Sequence, residues 1–337
     1  MKFWFNNGGW VSKKARHKIK IMSRESVKTV TVIRHAALGD MVLTRPFLIE
    51  LRKTFTNAFI TLSISSNYTR GTPDDLVDKV HVVHGSDQRG TPFSERKKRF
   101  KELGYQDIIF DLAATNRSFM TCFFNHAGLK VGFPYRRSMA RLFYDFTVNR
   151  SDLEFEVEGM LSMLHAIGIK TSYPHQYNMP GQKLIRKKPF IVYFSGASVK
   201  QKCWPLESFS TLINRLAIEY PQHDHLVLGG IQEWEKSETV LENSNNADNV
   251  GSVEADNIND TVSLLKGADL VVANDTGIRN LAIACETPTV GIFTITVPFR
   301  YWPRYNNHDA VIPVNDVMPS VDEVFDSCKT TLSNIIL

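Results

Sequence analysis

The most constraining feature of the sequence is an apolar run, residues 268–273, that leads into the turn Asp275-Thr276-Gly277 and a helix-like segment, residues 279–284. Such a run is typical of a buried strand in a parallel sheet. The first N–H groups of a helix that follows a strand in this way have no intrahelical partner and attract anions. We predict either a diphosphate-binding turn here or an ordinary connection in which Asp275 caps the helix.

A second unit of the same kind lies near the start of the chain. The β-branched run at residues 29–33 is followed by Gly39-Asp40 and then by helical spacing of Leu48, Leu51 and Phe55. A strand, a glycine-containing turn and an amphipathic helix again make a βα unit. The chain therefore contains two halves that resemble nucleotide-binding folds.

Predicted strands and helices alternate along the whole chain, with single helices expected at about residues 41–55 and 232–243 among others, which indicates parallel pairing and doubly wound sheets. A length of 337 residues suits two domains. The segment 171–189 contains three prolines and few core residues, as expected of a linker. The predicted organisation is an N-terminal extension (1–27), an N-terminal Rossmann-like domain (28–170), a linker (171–189), a C-terminal Rossmann-like domain (190–320) and a final helix that packs back toward the N-terminal domain (321–337).

Composition excludes several classes of protein. The chain is 43% hydrophobic and 22% charged, as in globular proteins. Prolines and glycines interrupt its longest apolar stretch, residues 287–299, so we expect no membrane-spanning helix. The four cysteines lack paired spacing, which argues against a zinc site or a disulfide framework and favours the reducing cytoplasm.

The first 27 residues combine aromatic side chains, including Trp4 and Trp10, with a cluster of lysines and arginine. No apolar segment of signal-peptide length follows the basic residues, so export is not expected. Two interpretations stay open: contact with an anionic membrane surface, or a solvated or loosely docked tail. The net charge of +5 indicates an acidic partner but is too small to require nucleic acid.

The order of short motifs over residues 28–335 resembles glycosyltransferase family 9, the heptosyltransferase-type enzymes. The resemblance implies a GT-B fold, in which two doubly wound Rossmann-like domains face a central cleft that holds donor and acceptor. It also implies that the N-terminal domain (28–170) binds the acceptor and the C-terminal domain (190–320) binds the nucleotide sugar. It rests on Gly39-Asp40 with Pro46, Asp111-Leu112 with Arg117-Ser118, Lys202-Cys203-Trp204-Pro205, Gly229-Gly230, Val250-Gly251, and Asp275-Thr276-Gly277 with Pro288.

The resemblance implies that Asp40 is the general base that takes the proton of an acceptor hydroxyl, as an inverting displacement requires. The alternative is that Asp40 caps a helix beginning at Met41. Lys202 would neutralise the donor diphosphate without a metal, unless it is a solvated loop lysine. The other implied donor-binding residues are Ser195, Gly196, Ala197, Gly229, Asp275, Thr276, Gly277 and Asn280.

The sequence departs from the family pattern at two places. Asn280 stands where the family usually has histidine, and it can donate a hydrogen bond but cannot carry a proton. The loop at residues 294–298 replaces a Gly-Pro-Thr-Asp-Pro-like segment. Basic residues of the first domain would attract the carboxylates and phosphates of a lipopolysaccharide core, and we name Arg117, Arg136, Arg137 and Arg141 as acceptor-binding.

The resemblance thus implies an inverting, metal-independent glycosyltransferase of the cytoplasm, peripheral on the cytoplasmic face of the inner membrane if the extension binds lipid. The expected partners are ADP-heptose, as substrate rather than cofactor, and an anionic lipopolysaccharide or related glycan; nucleic acid is not expected. The alternatives are another nucleotide sugar, or a binding protein that lost turnover. A dinucleotide-dependent oxidoreductase is disfavoured because no Gly-x-Gly-x-x-Gly turn follows the first strand.

Overall fold

The computed structural model describes residues 9–134, 142–230, 232–242, 244 and 247–336. The chain divides into two compact units, Met1–Gln176 and Tyr177–Leu337. Their boundary falls within the segment 171–189 that the sequence indicates as a linker. The outer limits of the domains, as inferred from the sequence, stay predictions.

The first unit is built on a seven-stranded sheet in the order β1-β7-β6-β5-β2-β3-β4. All neighbouring strands are parallel except β1 and β7, which pair antiparallel. The strands are β1 (Trp10–Val11), β2 (Thr29–Ile33), β3 (Phe59–Ser65), β4 (Lys79–Val83), β5 (Gln106–Asp111), β6 (Ala127–Gly132) and β7 (Phe146–Thr147).

Helices of the first unit pack in pairs, α3 against α6 and α4 against α5. They are α1 (Lys13–Ile21), α2 (Leu38–Val42), α3 (Arg45–Thr54), α4 (Phe93–Lys101), α5 (Asn116–Phe124) and α6 (Glu156–His165). The single helix predicted over residues 41–55 is wrong, since it consists of α2 and α3. Pro46 stands in the first turn of α3, where its missing N–H has no consequence, and so favours a new helix start.

The N-terminal segment that the structure describes is part of the first unit. Trp10 and Val11 pair with Thr147 and Phe146, and the Ser12 side chain caps α1 by accepting from the Ala15 N–H at 3.0 Å. These residues form an edge strand and a helix that the sequence did not predict. Contact of the extension with a membrane stays a prediction.

The second unit contains a six-stranded, fully parallel sheet in the order β10-β9-β8-β11-β12-β13. Its strands are β8 (Phe190–Phe194), β9 (Asp224–Leu228), β10 (Val250–Val253), β11 (Leu270–Asn274), β12 (Thr289–Ile292) and β13 (His308–Val311). Its helices are α7 (Leu206–Glu219), α8 (Ser237–Leu241), α9 (Ile258–Gly267), α10 (Gly277–Ala284) and α11 (Val321–Ile336).

The final helix, α11, packs on α7, β12 and β13 of the second unit. Val324, Cys328 and Leu332 belong to the main core cluster of this unit together with Val272 and Trp204. The spacing of these three helix residues, four apart, is what one buried helix face requires. The additional expectation that this helix reaches the N-terminal domain stays a prediction.

Each sheet reverses its winding direction once. In the first unit the order reverses between β2 and β5, and in the second between β8 and β11. In open α/β sheets the carboxyl ends of the strands at such a switch point form the crevice where ligands bind. The prediction of an α/β protein with doubly wound sheets is confirmed. Asp40 and Asp275 both lie at the carboxyl ends of the strands beside these two switch points. No helix within the described ranges is long and apolar enough to cross a membrane.

Candidate active site

The turn after β11 forms the centre of the candidate site in the second unit. Thr276 is the N-cap of α10, and its side chain accepts from the Arg279 N–H at 3.2 Å. The interpretation of Asp275 as the helix cap is therefore wrong. Its carboxylate instead accepts from the Lys202 ammonium, with Nζ 2.8 Å from Oδ2. Gly277 and Ile278 are the first two residues of this helix, so their N–H groups lie at the positive end of the helix dipole.

Lys202 reaches Asp275 from the turn that follows β8. It ends a short 3-10 helix, Lys200–Lys202, whose Gln201 carbonyl accepts from the Thr294 hydroxyl at 3.1 Å. The Lys202 side chain is 25% exposed and that of Asp275 is 7% exposed. Lys202 is thus an oriented cation at the switch point rather than an unattached surface lysine.

Asn274, the last residue of β11, forms hydrogen bonds with the segment that follows β8. Its amide donates to the carbonyls of Ser195 at 2.6 Å and Gly196 at 3.3 Å, and its oxygen accepts from the Trp204 N–H at 3.0 Å. The fully buried Trp204 ring also donates from Nε1 to the Pro319 carbonyl at 2.8 Å. Asn274 was not predicted as a site residue, because an amide at the end of an apolar strand gives no local sign of three distant partners.

Glycines at the neighbouring strand ends leave room for two glutamates. A Cβ at Gly196 or Gly230 would come within 2.5 Å of the Glu235 side chain, and one at Gly229 within 2.2 Å of a Glu254 carboxylate oxygen. Neither glutamate was predicted from the sequence as a site residue. Carboxylates at this edge are suited to accept hydrogen bonds from sugar hydroxyls.

Buried polar atoms without partners mark two of the predicted donor-binding residues. Ser195 is 1% exposed and Asn280 is 4% exposed. Within the described ranges neither the Ser195 Oγ nor the Asn280 Oδ1 has a hydrogen-bond partner. Ala197 is held differently, since its carbonyl accepts from Trp234 Nε1 at 3.2 Å. An unpaired buried acceptor is costly unless a ligand or water satisfies it.

In the first unit Asp40 is the third residue of α2, not the residue before a helix. The N-cap position is Ala37, which has no side chain able to cap. The alternative that Asp40 caps a helix beginning at Met41 is therefore wrong. Its side chain is 30% exposed, and its Oδ1 lies 3.4 Å from Arg34 Nη2. A carboxylate so placed is oriented by a cation while still accessible.

Arg34 is held at the end of β2 by several acceptors at once. It donates to the carbonyls of Leu112 at 2.9 Å and Asp40 at 3.2 Å, and to the Glu156 carboxylate at 3.0 Å. Glu156 also accepts from Arg150 at 2.6 Å. The Arg34 side chain is 3% exposed, so the guanidinium cannot readily leave this arrangement. Arg34 was not predicted as a site residue, because its partners Leu112 and Glu156 lie far away in the chain.

The carboxyl end of β5 brings further polar groups to the same edge. Asp111 accepts from the N–H groups of Ala113 at 2.9 Å and Ala114 at 3.0 Å and from the Tyr144 hydroxyl, and its burial raises the pKa of this carboxyl. Arg117 lies on the first turn of α5. Burial, followed by the Arg117 charge, lowers the pKa of His35 to about 3. Arg117 thus lies at the predicted sheet edge, whereas Arg136, Arg137 and Arg141 lie outside the described residues.

Metal-binding side chains do not cluster in the part of the chain that the structure describes: no group of three or more His, Cys, Asp or Glu residues could hold an ion there. The positive groups of the second-unit site are instead Lys202 and the N-terminal turn of α10. Together they present a cation and backbone donors to one point beside the switch crevice, which suits a phosphate group.

Comparison with known proteins identifies the family. The model of glycosyltransferase family 9 (heptosyltransferase) matches residues 96–325. The chain belongs to glycosyltransferase family 9. The family resemblance inferred from the motifs is confirmed.

Lipopolysaccharide heptosyltransferase 1 of Campylobacter coli is 27% identical over 120 residues, which is 35% of this chain and 35% of that protein. The alignment thus spans about a third of this curated relative's length. A solved family 9 glycosyltransferase from Veillonella parvula is 18% identical with a TM-score of 0.76, over 91% of this chain and 98% of that one. Heptosyltransferase WaaC of E. coli, solved with ADP, is 18% identical with a TM-score of 0.73, over 90% and 99% of the two chains. These similarities confirm the GT-B fold.

Proposed function

We propose that this protein transfers a heptose from ADP-L-glycero-D-manno-heptose, with inversion, to a lipopolysaccharide core or a related cell-surface glycan. Family membership supports sugar transfer. The heptose and its ADP carrier are supported by a similar solved protein, E. coli WaaC, whose structures contain ADP and an ADP-2-deoxy-2-fluoro heptose. The lipopolysaccharide acceptor is supported by the name of the C. coli relative.

The observation that carries the proposal is the Lys202–Asp275 pair at the switch point, with Nζ and Oδ2 2.8 Å apart, beside the N-terminus of α10. A lysine partly exposed to solvent can turn from Asp275 to a diphosphate. The first N–H groups of α10 add backbone donors to the same phosphates. Ser195 and Asn280, with their unpaired buried oxygens, would then complete their hydrogen bonds with the nucleotide sugar or with water.

The proposed chemistry is a direct displacement at the anomeric carbon. Asp40 accepts the proton of the acceptor hydroxyl as the hydroxyl oxygen attacks. The new C–O bond forms as the bond from the anomeric carbon to the diphosphate oxygen breaks, and its electron pair leaves on the diphosphate. Lys202 and the α10 N-terminus stabilise the charge that develops there. Arg34 orients the accessible Asp40 side chain, with its Nη2 3.4 Å from Oδ1.

The proposal includes catalysis without a bound metal. A single ammonium together with oriented N–H groups supplies the electrostatic stabilisation that a cation would otherwise give to the leaving diphosphate. Retained activity in the presence of EDTA is the expected result, and strict dependence on added divalent cations would contradict this part of the proposal.

We assign acceptor binding to basic residues of the first unit, among which Arg117 lies within the described residues. Arg117 lies at the carboxyl end of β5, on the same edge as Asp40, and can pair with acceptor carboxylates or phosphates. The reaction is placed in the cytoplasm, at the inner-membrane face, where a nucleotide-sugar donor and a lipid-linked acceptor both occur.

The first test is a calorimetric titration with ADP, UDP, GDP and CMP. Selective ADP binding that weakens in Lys202→Ala but not in the neighbouring Lys200→Ala supports the donor site. Preference for UDP or GDP would contradict heptose as the sugar. Transfer from ADP-heptose to an extracted core acceptor is then measured, with Asp40→Asn as the inactive control.

A nucleotide-sugar-binding protein without turnover is the second candidate. Asn280, buried at the donor edge, has no proton of suitable acidity to give to the leaving group. Tight ADP binding without any transfer to core acceptors would favour this candidate. Measurable transfer that is lost in Asp40→Asn would exclude it.

A further inference from the structure

We propose that the outer face of α4 and α5 in the first unit docks on an anionic membrane surface. This inference goes beyond the proposed reaction, and its test requires neither donor nor acceptor. The α4–α5 face is defined by exposed apolar residues bordered by lysines, namely Phe93, Met120, Phe123, Lys97, Lys98 and Lys101.

Three apolar side chains of this face are exposed to solvent. Phe123 is 59% exposed, Phe93 is 54% exposed and Met120 is 36% exposed. Met120 and Phe123 lie three residues apart on α5, so they share one side of that helix. Exposed apolar side chains that share one side of a helix, as Met120 and Phe123 do, are typical of an interaction surface.

A network of ring contacts anchors Phe123 to the core. Its ring lies 5.3 Å from that of Phe124 and 6.0 Å from that of Phe143, centroid to centroid. Phe124 in turn stacks on the buried Phe100 at 6.4 Å, and Phe143 stacks on the buried Phe119 at 5.1 Å. The exposed ring is therefore held outward by buried neighbours and does not require a large conformational change to enter an interface.

Lysines of α4 lie beside this network of rings. Residues 93–104 contain five lysines and arginines and only two acidic residues. The ammonium groups of Lys97 and Lys101 lie over the Phe124 ring, at 5.5 and 5.9 Å from its centroid. Among the described residues, no carboxylate forms an ion pair with Lys97, Lys98 or Lys101, whereas Arg99 pairs with Glu102 at 3.1 Å.

Aromatic rings bordered by unpaired lysines complement an anionic lipid surface in two ways. The rings enter the boundary between headgroups and acyl chains, and the lysines bind headgroup phosphates. The lysine stems can lie along the rings while the ammonium groups extend to the phosphates. A neutral protein partner would leave these charges unmatched, so we assign an anionic membrane as the partner.

The orientation of α5 connects this face to the candidate site. The helix begins at the carboxyl edge of the sheet, beside Arg117, and ends at Phe124. Docking through Phe123 would therefore hold the Arg117 end of the same helix at a fixed distance from the headgroups. A lipid-linked acceptor would then be presented to an enzyme already located at its membrane.

Vesicle co-sedimentation tests the proposal on the full chain. Phosphatidylcholine vesicles containing phosphatidylglycerol should bind the protein, and phosphatidylcholine alone should not. Binding should weaken with added salt. We expect Lys97→Gln/Lys101→Gln to weaken it about 30-fold, at roughly one factor of five for each lysine, and Phe123→Ser about tenfold.

Matched controls lie on exposed positions elsewhere. Lys187→Gln/Lys188→Gln removes the same charge from the second unit, and Ile218→Ser removes an apolar side chain that is 77% exposed on α7. Neither should change vesicle binding. Lys13→Gln/Lys14→Gln tests the N-terminal extension as the alternative contact.

Several results would overturn the proposal. They are no binding of the wild-type protein to anionic vesicles, equal binding by the α4 double variant, or an equal loss in the control variants. A Phe123→Ser variant that converts a dimer to a monomer without altering vesicle binding would assign the face to self-association. Because the double lysine variant changes only exposed side chains, it tests the proposal even if Phe123→Ser does not fold.

Discussion

Replacement of Lys202 by methionine should weaken ADP binding by about 10- to 30-fold. A charge-assisted hydrogen bond to a phosphate contributes about 1.5–3 kcal/mol, which corresponds to a factor of roughly 10–150 in Kd. Lys202 must first leave Asp275, whose Oδ2 lies 2.8 Å from its Nζ. Because the Lys202 side chain is 25% exposed, the solvent screens its interactions with Asp275 and with the phosphate. The expected change in Kd therefore falls in the lower part of the roughly 10- to 150-fold range.

A sharper test is whether Asp275→Asn strengthens or weakens ADP binding in the presence and in the absence of Lys202. Lys202→Met leaves the Asp275 carboxylate, 7% exposed, beside the diphosphate site without its cation partner. This charge repels ADP, so adding Asp275→Asn to Lys202→Met should restore binding by about fivefold. In the wild-type background Asp275→Asn should instead weaken binding, because Asp275 orients Lys202 and its loop. Opposite signs in the two backgrounds are the signature of a coupled pair.

Isothermal titration calorimetry measures the four proteins of this cycle, with Lys200→Met as the control for charge at a neighbouring exposed position. The Lys202→Met variant should also lose about 1–3 kcal/mol of unfolding free energy, since it leaves a buried carboxylate unpaired. Thermal melting checks that it is folded at the titration temperature. ADP binding by Lys202→Met within twofold of wild type would refute the assignment of the diphosphate to this lysine.

Three further predictions concern catalysis and stability. Asp40→Asn should reduce kcat by about 10²- to 10⁴-fold with little change in the Kd for ADP; comparable losses in both would indicate a structural role. Burial lowers the pKa of His35 to about 3, that of His225 to about 4 and that of His308 to about 3. Their contribution to the free energy of unfolding should be fully present above about pH 6.5. It should fall as the pH decreases toward about 4, by about 1.4 kcal/mol per pH unit for each of these histidines. The unfolded chain binds protons at these sites that the fold excludes, and denaturant titrations at several pH values measure the slope; a flat profile would contradict it. Gly267→Ala should cost about 1–3 kcal/mol, because its Cβ would lie 2.5 Å from the Leu184 carbonyl, whereas Gly251→Ala meets nothing within 4 Å and should cost less.

The regular elements near the site were accessible from the sequence because their signals are local. The run Phe190–Phe194 is fully buried and ends at small residues, as a central parallel strand requires. The predicted helix at about residues 232–243 was less accurate, since the structure has a 3-10 turn, Glu233–Glu235, followed by the short helix Ser237–Leu241. Strand β13 was not predicted, because its His-Asp-Ala-Val sequence lacks an apolar run.

The supporting residues of the site could not be predicted, since their partners are remote in the chain. Arg34 donates to Glu156 and Asn274 donates to Ser195, over separations of 122 and 79 residues. Each contact depends on which strands become neighbours at a switch point. A single sequence identifies the turn that binds the ligand, but the side chains that fix this turn are apparent only when the strand order is known.

The two switch points contain acid–cation pairs of opposite design. In the first unit the cation is fixed, because Arg34 is 3% exposed, while the acid Asp40 is 30% exposed. In the second unit the acid is fixed, because Asp275 is 7% exposed, while Lys202 is 25% exposed. The group able to meet a substrate is thus a carboxylate at one edge and an ammonium at the other. Proton removal requires the first and a leaving diphosphate requires the second, so each edge exposes the charge that its proposed half of the reaction uses.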